Sequence, residues 1–339
     1  MCGLTLAGVG EWASGNLDSS SAVGGSEPAS ASTKDGRSVV AVVTAPAPYL
    51  PDPASHLPAD TTGYTFRRYV PEVRLQFTVA DEQGRVVQDL SAQEVRIFDN
   101  QMPVDRFNAF ERDQDLPLRL GLILDTSDSV KRVLGEEKAA AATFLQRVLR
   151  PQADTAFVMA FAGDIKVWQE STANRQALLD AVARLKQPGW GTRFYDALYS
   201  ACAGELLPGS NSLVRRALVV LSDGEDTDSI HGLGDVIAIA LRNEVQIYTL
   251  SIRTRKAGSF ADRVLQGLAE ATGGRLYLAQ SSKDVDAAFV QIERDLRTQY
   301  YVSFRPQQAT PGFHSLRLEV RPGQNLEVHA RQGYYAMTP

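Results

Sequence analysis

Between residues 118 and 297 short apolar runs alternate with helical stretches, and that alternation constrains the fold more than any other feature of the chain. The runs at 118–124, 155–161, 217–221, 246–252 and 275–279 have the length and composition of buried strands. Residues 130–149, 174–185, 194–206, 229–243, 261–271 and 283–297 read as helices. Strands that alternate with helices require right-handed crossovers and pair in parallel. The predicted core is therefore an α/β, Rossmann-like, doubly wound and mainly parallel sheet. Residues 165–169 follow Gly163-Asp164 too closely for a crossover, so they are expected to pair back on 155–161 as an antiparallel edge. The Ala-rich side of 130–149, with Phe144, Leu145 and Val148, reads as core packing.

The residues that carry chemistry sit where these strands end. Asp125, Ser127 and Ser129, at alternate positions, follow the first run. Ser222-Asp223-Gly224 follows the third, and Gly191-Thr192 precedes the helix at 194–206. In open α/β sheets, ligands bind at the carboxyl ends of the strands. Carboxylates and hydroxyls gathered there are hard oxygen donors, suited to a Mg²⁺-type cation. Taken singly, these segments are ordinary turn and N-cap patterns. In order, each at the end of an apolar strand, they form a constellation.

Asp-x-Ser-x-Ser, then Gly-Thr, then Ser-Asp-Gly resembles the metal-ion-dependent adhesion motif (MIDAS) of the von Willebrand factor type A domain. The resemblance implies a metal site made of Asp125, Ser127, Ser129, Thr192 and Asp223, holding Mg²⁺ (or Mn²⁺ or Ca²⁺). It also implies a protein partner that supplies an Asp or Glu to the metal. Asp128 stands where the family usually has Gly. Trp190, Arg193 and Tyr195 flank Thr192 and read as partner contacts, against a bland role of core packing for Tyr195 and solvated rim for Arg193. Glu225, Asp226 and Asp228 are expected to form a solvated acidic rim and to cap the next helix.

The chain ends differ from its middle. Residues 1–65, rich in Ser, Gly and Ala and then in Pro, are expected to be a low-complexity tail. Strand-like alternation appears at 73–79, 85–89 and 95–98, and again at 300–304, 316–320 and 326–330. Neither set suffices for a core alone. A small β-sandwich-like module built from residues 66–113 and 299–339 is therefore predicted, with the α/β domain inserted at 114–298. This arrangement resembles a bacterial group of von Willebrand factor type A-related proteins. Its patterns are like Leu90-Ser91-Ala92-Gln93-Glu94-Val95-Arg96-Ile97-Phe98-Asp99-Asn100, then Gln299-Tyr300-Tyr301, then Arg331-Gln332-Gly333-Tyr334-Tyr335. The resemblance implies a cell-envelope or secreted location. Residues 1–10 contain no Lys or Arg and read as no secretory signal, which leaves the cytoplasm open.

Other chemistries find little support. The net charge of −5 comes with no strong basic patch, which argues against nucleic acid. No apolar run approaches the ~20 residues of a membrane span. Two cysteines give no disulfide framework, and Cys202 reads as a buried thiol. His56, His231, His314 and His329 are scattered and expected at the surface. No Walker loop or G-x-S-x-G elbow occurs. The function expected is a non-catalytic, metal-dependent protein-interaction or adhesion module that binds an acidic group of a macromolecular partner. Two alternatives stay open. One is a metal-assisted hydrolase, although no His or Lys is placed as its base. The other is a structural envelope protein with a vestigial metal site.

Overall fold

The computed structural model describes residues 72–113, 116–186, 189–207, 214–252, 259–308, 310–321 and 324–336; the tail expected over 1–65 lies outside them. The chain enters through Val73–Ala80 (β1), Val95–Asp99 (β2), Met102–Pro103 (β3) and Phe107–Asp113 (β4). It continues through Leu118–Asp125 (β5), Leu134–Val148 (α1), Thr155–Phe161 (β6), Ile165–Thr172 (β7), Arg175–Arg184 (α2) and Phe194–Ala203 (α3). Next come Arg215–Ser222 (β8), Leu233–Arg242 (α4), Val245–Ile252 (β9), Phe260–Thr272 (α5), Leu276–Ala279 (β10) and Ser282–Arg297 (α6). It closes with Gln299–Phe304 (β11), Gly312–Val320 (β12), Glu327–Ala330 (β13) and Gly333–Ala336 (β14).

The central sheet runs in the order β10-β9-β8-β5-β6-β7. All its neighbours pair in parallel except β7, which returns antiparallel on β6 as the edge that the short Gly163-Asp164 turn predicts. Every residue of β8 and β9 is buried, because helices cover both faces. Leu118, Leu120, Leu122 and Leu124 face a layer with α1, α2 and α6. Ile123, with Phe157, Met159 and Phe161 of β6, faces the layer of α3, α4 and α5. Gly121 belongs where it is, since a Cβ there would lie 2.3 Å from the Leu218 side chain. The chain moves from β5 to β6 on one side and then to β8 on the other. The strand order therefore reverses at β5, and in open α/β sheets the carboxyl ends of the strands at such a reversal are where ligands bind.

The two chain ends form two four-stranded antiparallel sheets, β13-β1-β11-β4 and β14-β12-β2-β3. Leu75 and Phe77 of β1, Ile97 of β2, Val302 and Phe304 of β11, and Leu316 and Val320 of β12 share one core between them. Each sheet thus mixes strands from both ends.

Several local expectations fail for identifiable reasons. Residues 85–89 do not form a strand. β11 and β13 occupy the two sides of β1, leaving only an isolated bridge from Val86 to Ala80. β4 escapes an alternation test because its pairing with β11 shifts between Ser303 and Phe304, which breaks the period of two. The helix expected from 130 starts at Leu134, after a 3₁₀ turn over Asp128–Val130. The helix expected from 229 starts at Leu233, because the residues before it are held in a loop. His314 is buried, not on the surface. It lies on the same inward side of β12 as Leu316, its Nδ1 3.0 Å from Asp99 and its Nε2 2.8 Å from the Thr310 carbonyl. Cys202 is buried as expected, and burial raises the pKa of its thiol.

Candidate functional site at the carboxyl edge of the parallel sheet

Asp125 is the last residue of β5 and is fully buried. One of its carboxylate oxygens accepts the Ser127 backbone N–H at 2.9 Å, and the other accepts the Ser222 hydroxyl at 2.7 Å. Thr126 anchors the turn to β6, its N–H and hydroxyl both donating to the Phe161 carbonyl, at 2.8 and 3.0 Å. The chain then enters the 3₁₀ turn that presents Ser129, whose hydroxyl lies 3.0 Å from that of Ser127. Ser127 is buried, whereas Asp128 and Ser129 are exposed. At the end of β8, the Ser222 hydroxyl also accepts the Gly224 N–H at 3.0 Å, which positions Asp223 beside Asp125.

Thr192 reaches this edge through loop-to-loop bonds. Its carbonyl accepts the N–H groups of Thr227 and Asp228 at 2.9 and 3.1 Å, and its own N–H donates to the Thr227 hydroxyl. Arg193 N–H donates to the Ala162 carbonyl, tying the same loop to the β6–β7 turn. Gly191 adopts φ +87°, and a Cβ there would come 2.1 Å from the Asp228 carboxylate, so only glycine fits this approach. Asp125, at the end of β5, and the other four residues expected in the metal site, in the segments that follow the strands, thus lie at one end of the sheet.

The flanking residues separate into two kinds. Trp190 is 89% exposed. Arg193 and Tyr195 are instead engaged in the fold. The Arg193 guanidinium donates to Asp196 at 2.6 Å, and the Tyr195 ring meets Phe194 edge-on at 5.3 Å. Buried Asp196 also accepts the N–H groups of Ile230 and His231, and the His231 ring at 2.6 Å. Burial acts to raise its pKa, but the bonds from His231, Ile230 and Arg193 outweigh that and hold the carboxyl well below its usual range. Asp226 does not cap the next helix. It accepts the Tyr195 N–H and the Ser229 hydroxyl, and the first turn of α4 is closed by Asp235 on the Gly232 N–H. Ile230, on the same loop, is 83% exposed.

The electrostatics of the edge are those of crowded acids. Burial pushes Asp125 up to about 6 against the bonds from Ser127 and Ser222, and the charge of Asp223 adds to the rise. A further acid belongs here that the spacing of motifs did not single out. Glu137 lies on the inward side of α1 beside Leu134 and Ala141, 1% exposed, and neither of its carboxylate oxygens has a hydrogen-bond partner. Burial, with the charges of Asp125 and Asp223, pushes it up to about 8. The sequence signal was an acid at helical spacing on an otherwise apolar face. No three His, Cys, Asp or Glu side chains among the described residues converge as a metal-binding group. The donor set on offer is therefore the Asp125 and Asp223 carboxylates together with the hydroxyls of Ser127, Ser129 and Thr192. Hard oxygens in a field of negative charge fit a divalent cation of the Mg²⁺ class.

The von Willebrand factor type A domain model matches residues 120–225, the stretch that carries all five residues and Glu137. No curated protein matches the chain. Among solved structures, the chain is similar to BatB of Bacteroides thetaiotaomicron at 17% identity and a TM-score of 0.44, covering 53% of this chain and 100% of that one. It is also similar to an aerotolerance-related membrane protein of Bacteroides fragilis, at 18% identity and a TM-score of 0.43, over 52% of this chain and 98% of that one. Proximal thread matrix protein 1 of the mussel byssus aligns at 14% identity and a TM-score of 0.48, over 58% of this chain and 51% of that one. The family match carries the assignment and these likenesses do not. The α/β domain of this chain thus carries a von Willebrand factor type A domain match over residues 120–225.

Proposed function

We propose that this domain is a cation-dependent protein-interaction module in which Asp125, Ser127, Ser129, Thr192 and Asp223 hold Mg²⁺ or a similar divalent ion. The observation that carries the reading is the buried Asp125, whose carboxylate sits among hydroxyl donors and feels the charge of a second carboxylate, Asp223. An arrangement that raises the pKa of its own acid is unfavourable in the empty protein and favourable around a cation. When bound, such an ion supplies an electrophilic centre to which a carboxylate oxygen of another protein can attach. The protein's own part is to hold the donors in place. Ser222 fixes both Asp125 and the turn around Asp223, and the bonds from Thr227 and Asp228 fix Thr192.

Partner contact falls to the rim. Trp190 and Ile230, both strongly exposed on loops around the site, offer apolar surface beside the acidic centre. Arg193 and Tyr195 contribute by holding that rim together. A cell-envelope or extracellular setting suits such a module; no helix among the described residues is long and apolar enough to cross a membrane.

The test is capture of a binding protein from the native envelope fraction in Mg²⁺ and in EDTA. Capture is expected in Mg²⁺, to be lost in EDTA, and to weaken in Thr192→Ala while the melting temperature stays near that of the wild type. Capture undiminished by EDTA would refute cation dependence. Ester hydrolysis lost in Asp223→Ala would favour a hydrolase instead.

A further inference from the structure

We infer that Glu137 is an outer member of the cation site, an acid on α1 that balances the ion's charge and accepts hydrogen bonds from its bound water. The inference rests on the cation reading above and extends it to a residue outside the five-residue motif.

Three observations carry it. Glu137 is 1% exposed, yet both its oxygens lack a donor. Buried carboxylates without partners are costly and rare, so one that persists needs an account. Its position supplies a direction. It occupies the opening turn of α1, the helix reached directly from the Asp125–Ser129 turn, on the inward side shared with Leu134 and Ala141. The charges of Asp125 and Asp223 act on it, as expected of a residue beside that edge.

A core role explains none of this, since a methylene-bearing apolar side chain would fill the same place without burying a carboxylate. Direct ligation is also disfavoured, because Asp125, Asp223 and Glu137 do not converge as a three-acid metal group. What the oxygens lack is a hydrogen-bond donor. A Mg²⁺-type ion holds its water tightly, and that water is such a donor. With Glu137 ionised, the site carries three negative charges, which favours cations of higher charge.

The test uses the full chain and two probe cations, Mn²⁺ and Tb³⁺, titrated into wild type, Glu137→Gln, Glu137→Asp and Asp125→Asn. Loss of an outer acid costs metal affinity roughly 10–100-fold. Glu137→Gln is therefore expected to weaken Mn²⁺ binding by about that factor and Tb³⁺ binding by more, because the removed charge acts in proportion to the charge of the ion. Glu137→Asp should recover most of the loss. Melting in EDTA, expected to be no lower for Glu137→Gln than for wild type, shows that the fold is intact. Wild-type affinity for both ions in Glu137→Gln, with binding abolished in Asp125→Asn, would overturn the role of Glu137 alone. Equal weakening for both ions, unrescued by Glu137→Asp, would reduce Glu137 to a packing residue. No binding to wild type, or unchanged binding in Asp125→Asn, would overturn the cation reading itself.

Discussion

The two ends of the parallel sheet each bury an acid beside β5, and they treat it in opposite ways. At the amino end, Asp154 accepts the Leu118 N–H at 2.8 Å, the Arg150 N–H at 2.7 Å, and the guanidinium groups of Arg150 and Arg297. Burial acts to raise its pKa, and these bonds outweigh it and hold the carboxyl below its ordinary value. At the carboxyl end, Asp125 has neutral donors and an acidic neighbour, and Glu137 has no donor at all. Both of these acids are pushed up. One end of the sheet pairs its acid with cationic groups, while the other leaves its acids uncompensated, as the proposed cation site requires. The second end is the carboxyl side of the strand-order reversal at β5, the side on which open α/β sheets bind ligands.

The sharpest break between the ends is in stability. Asp154→Ala leaves Arg150 and Arg297 without their shared carboxylate and is expected to cost about 3–5 kcal/mol in urea denaturation. Asp125→Asn, measured in EDTA, is expected to cost less than ~1 kcal/mol, because the amide oxygen still accepts the Ser127 N–H, the amide NH2 can donate to the Ser222 hydroxyl, and the repulsion from Asp223 is relieved. Equal losses at both positions would erase the distinction.

A second difference lies in pH. A folded-state pKa of about 8 for Glu137, above its usual carboxylate value, means that the folded chain holds a proton the unfolded chain has lost. That stability is present at acid pH and declines as pH rises from ~4.3 through about 8. Asp154 acts in the opposite sense. Its contribution is present above ~3.9 and is lost as pH falls through its lowered folded value. In EDTA, Glu137→Gln should therefore flatten the decline toward pH 8 and leave the acid limb in place. Asp125, raised to about 6, accounts for a decline below that pH, so a decline between about pH 6 and 8 that survives in Glu137→Gln would assign it elsewhere.

Smaller effects should follow from the supporting residues. Ser222→Ala removes the donor to Asp125 and the acceptor for Gly224, and should cost about 1–2 kcal/mol in EDTA. Trp190→Ala should change stability by less than ~0.5 kcal/mol, since the side chain is almost wholly in solvent, yet reduce partner capture. A Trp190→Ala chain that captures its partner as wild type does would move the contact surface away from this loop.

The carboxyl end was far more legible in the sequence than the amino end. Asp125, Ser127, Ser129 and Asp223 each follow an apolar run within a few residues, so their placement is a local property. Asp154 and Arg297 meet across 143 positions of chain, and nothing near either one announces the other. Glu137 was readable in principle, as an acid at the spacing of Leu134 and Ala141, but helical acids are usually solvated. His314 shares the alternation of Leu316 and Val320, a pattern that outranks the general surface preference of histidine. The split β-module could be inferred because neither end has enough strands alone. β4 could not, because its bulge against β11 removes the period that identifies a strand.

The most direct measurement is amide hydrogen exchange on the wild-type chain in EDTA and in saturating Mg²⁺ or Mn²⁺. Protection is expected to rise over residues 125–131, 189–195 and 222–231 and to stay unchanged over 116–119 and 150–156. No change at the carboxyl-edge loops, or an equal rise at both ends of the sheet, would contradict a cation site built at one end alone.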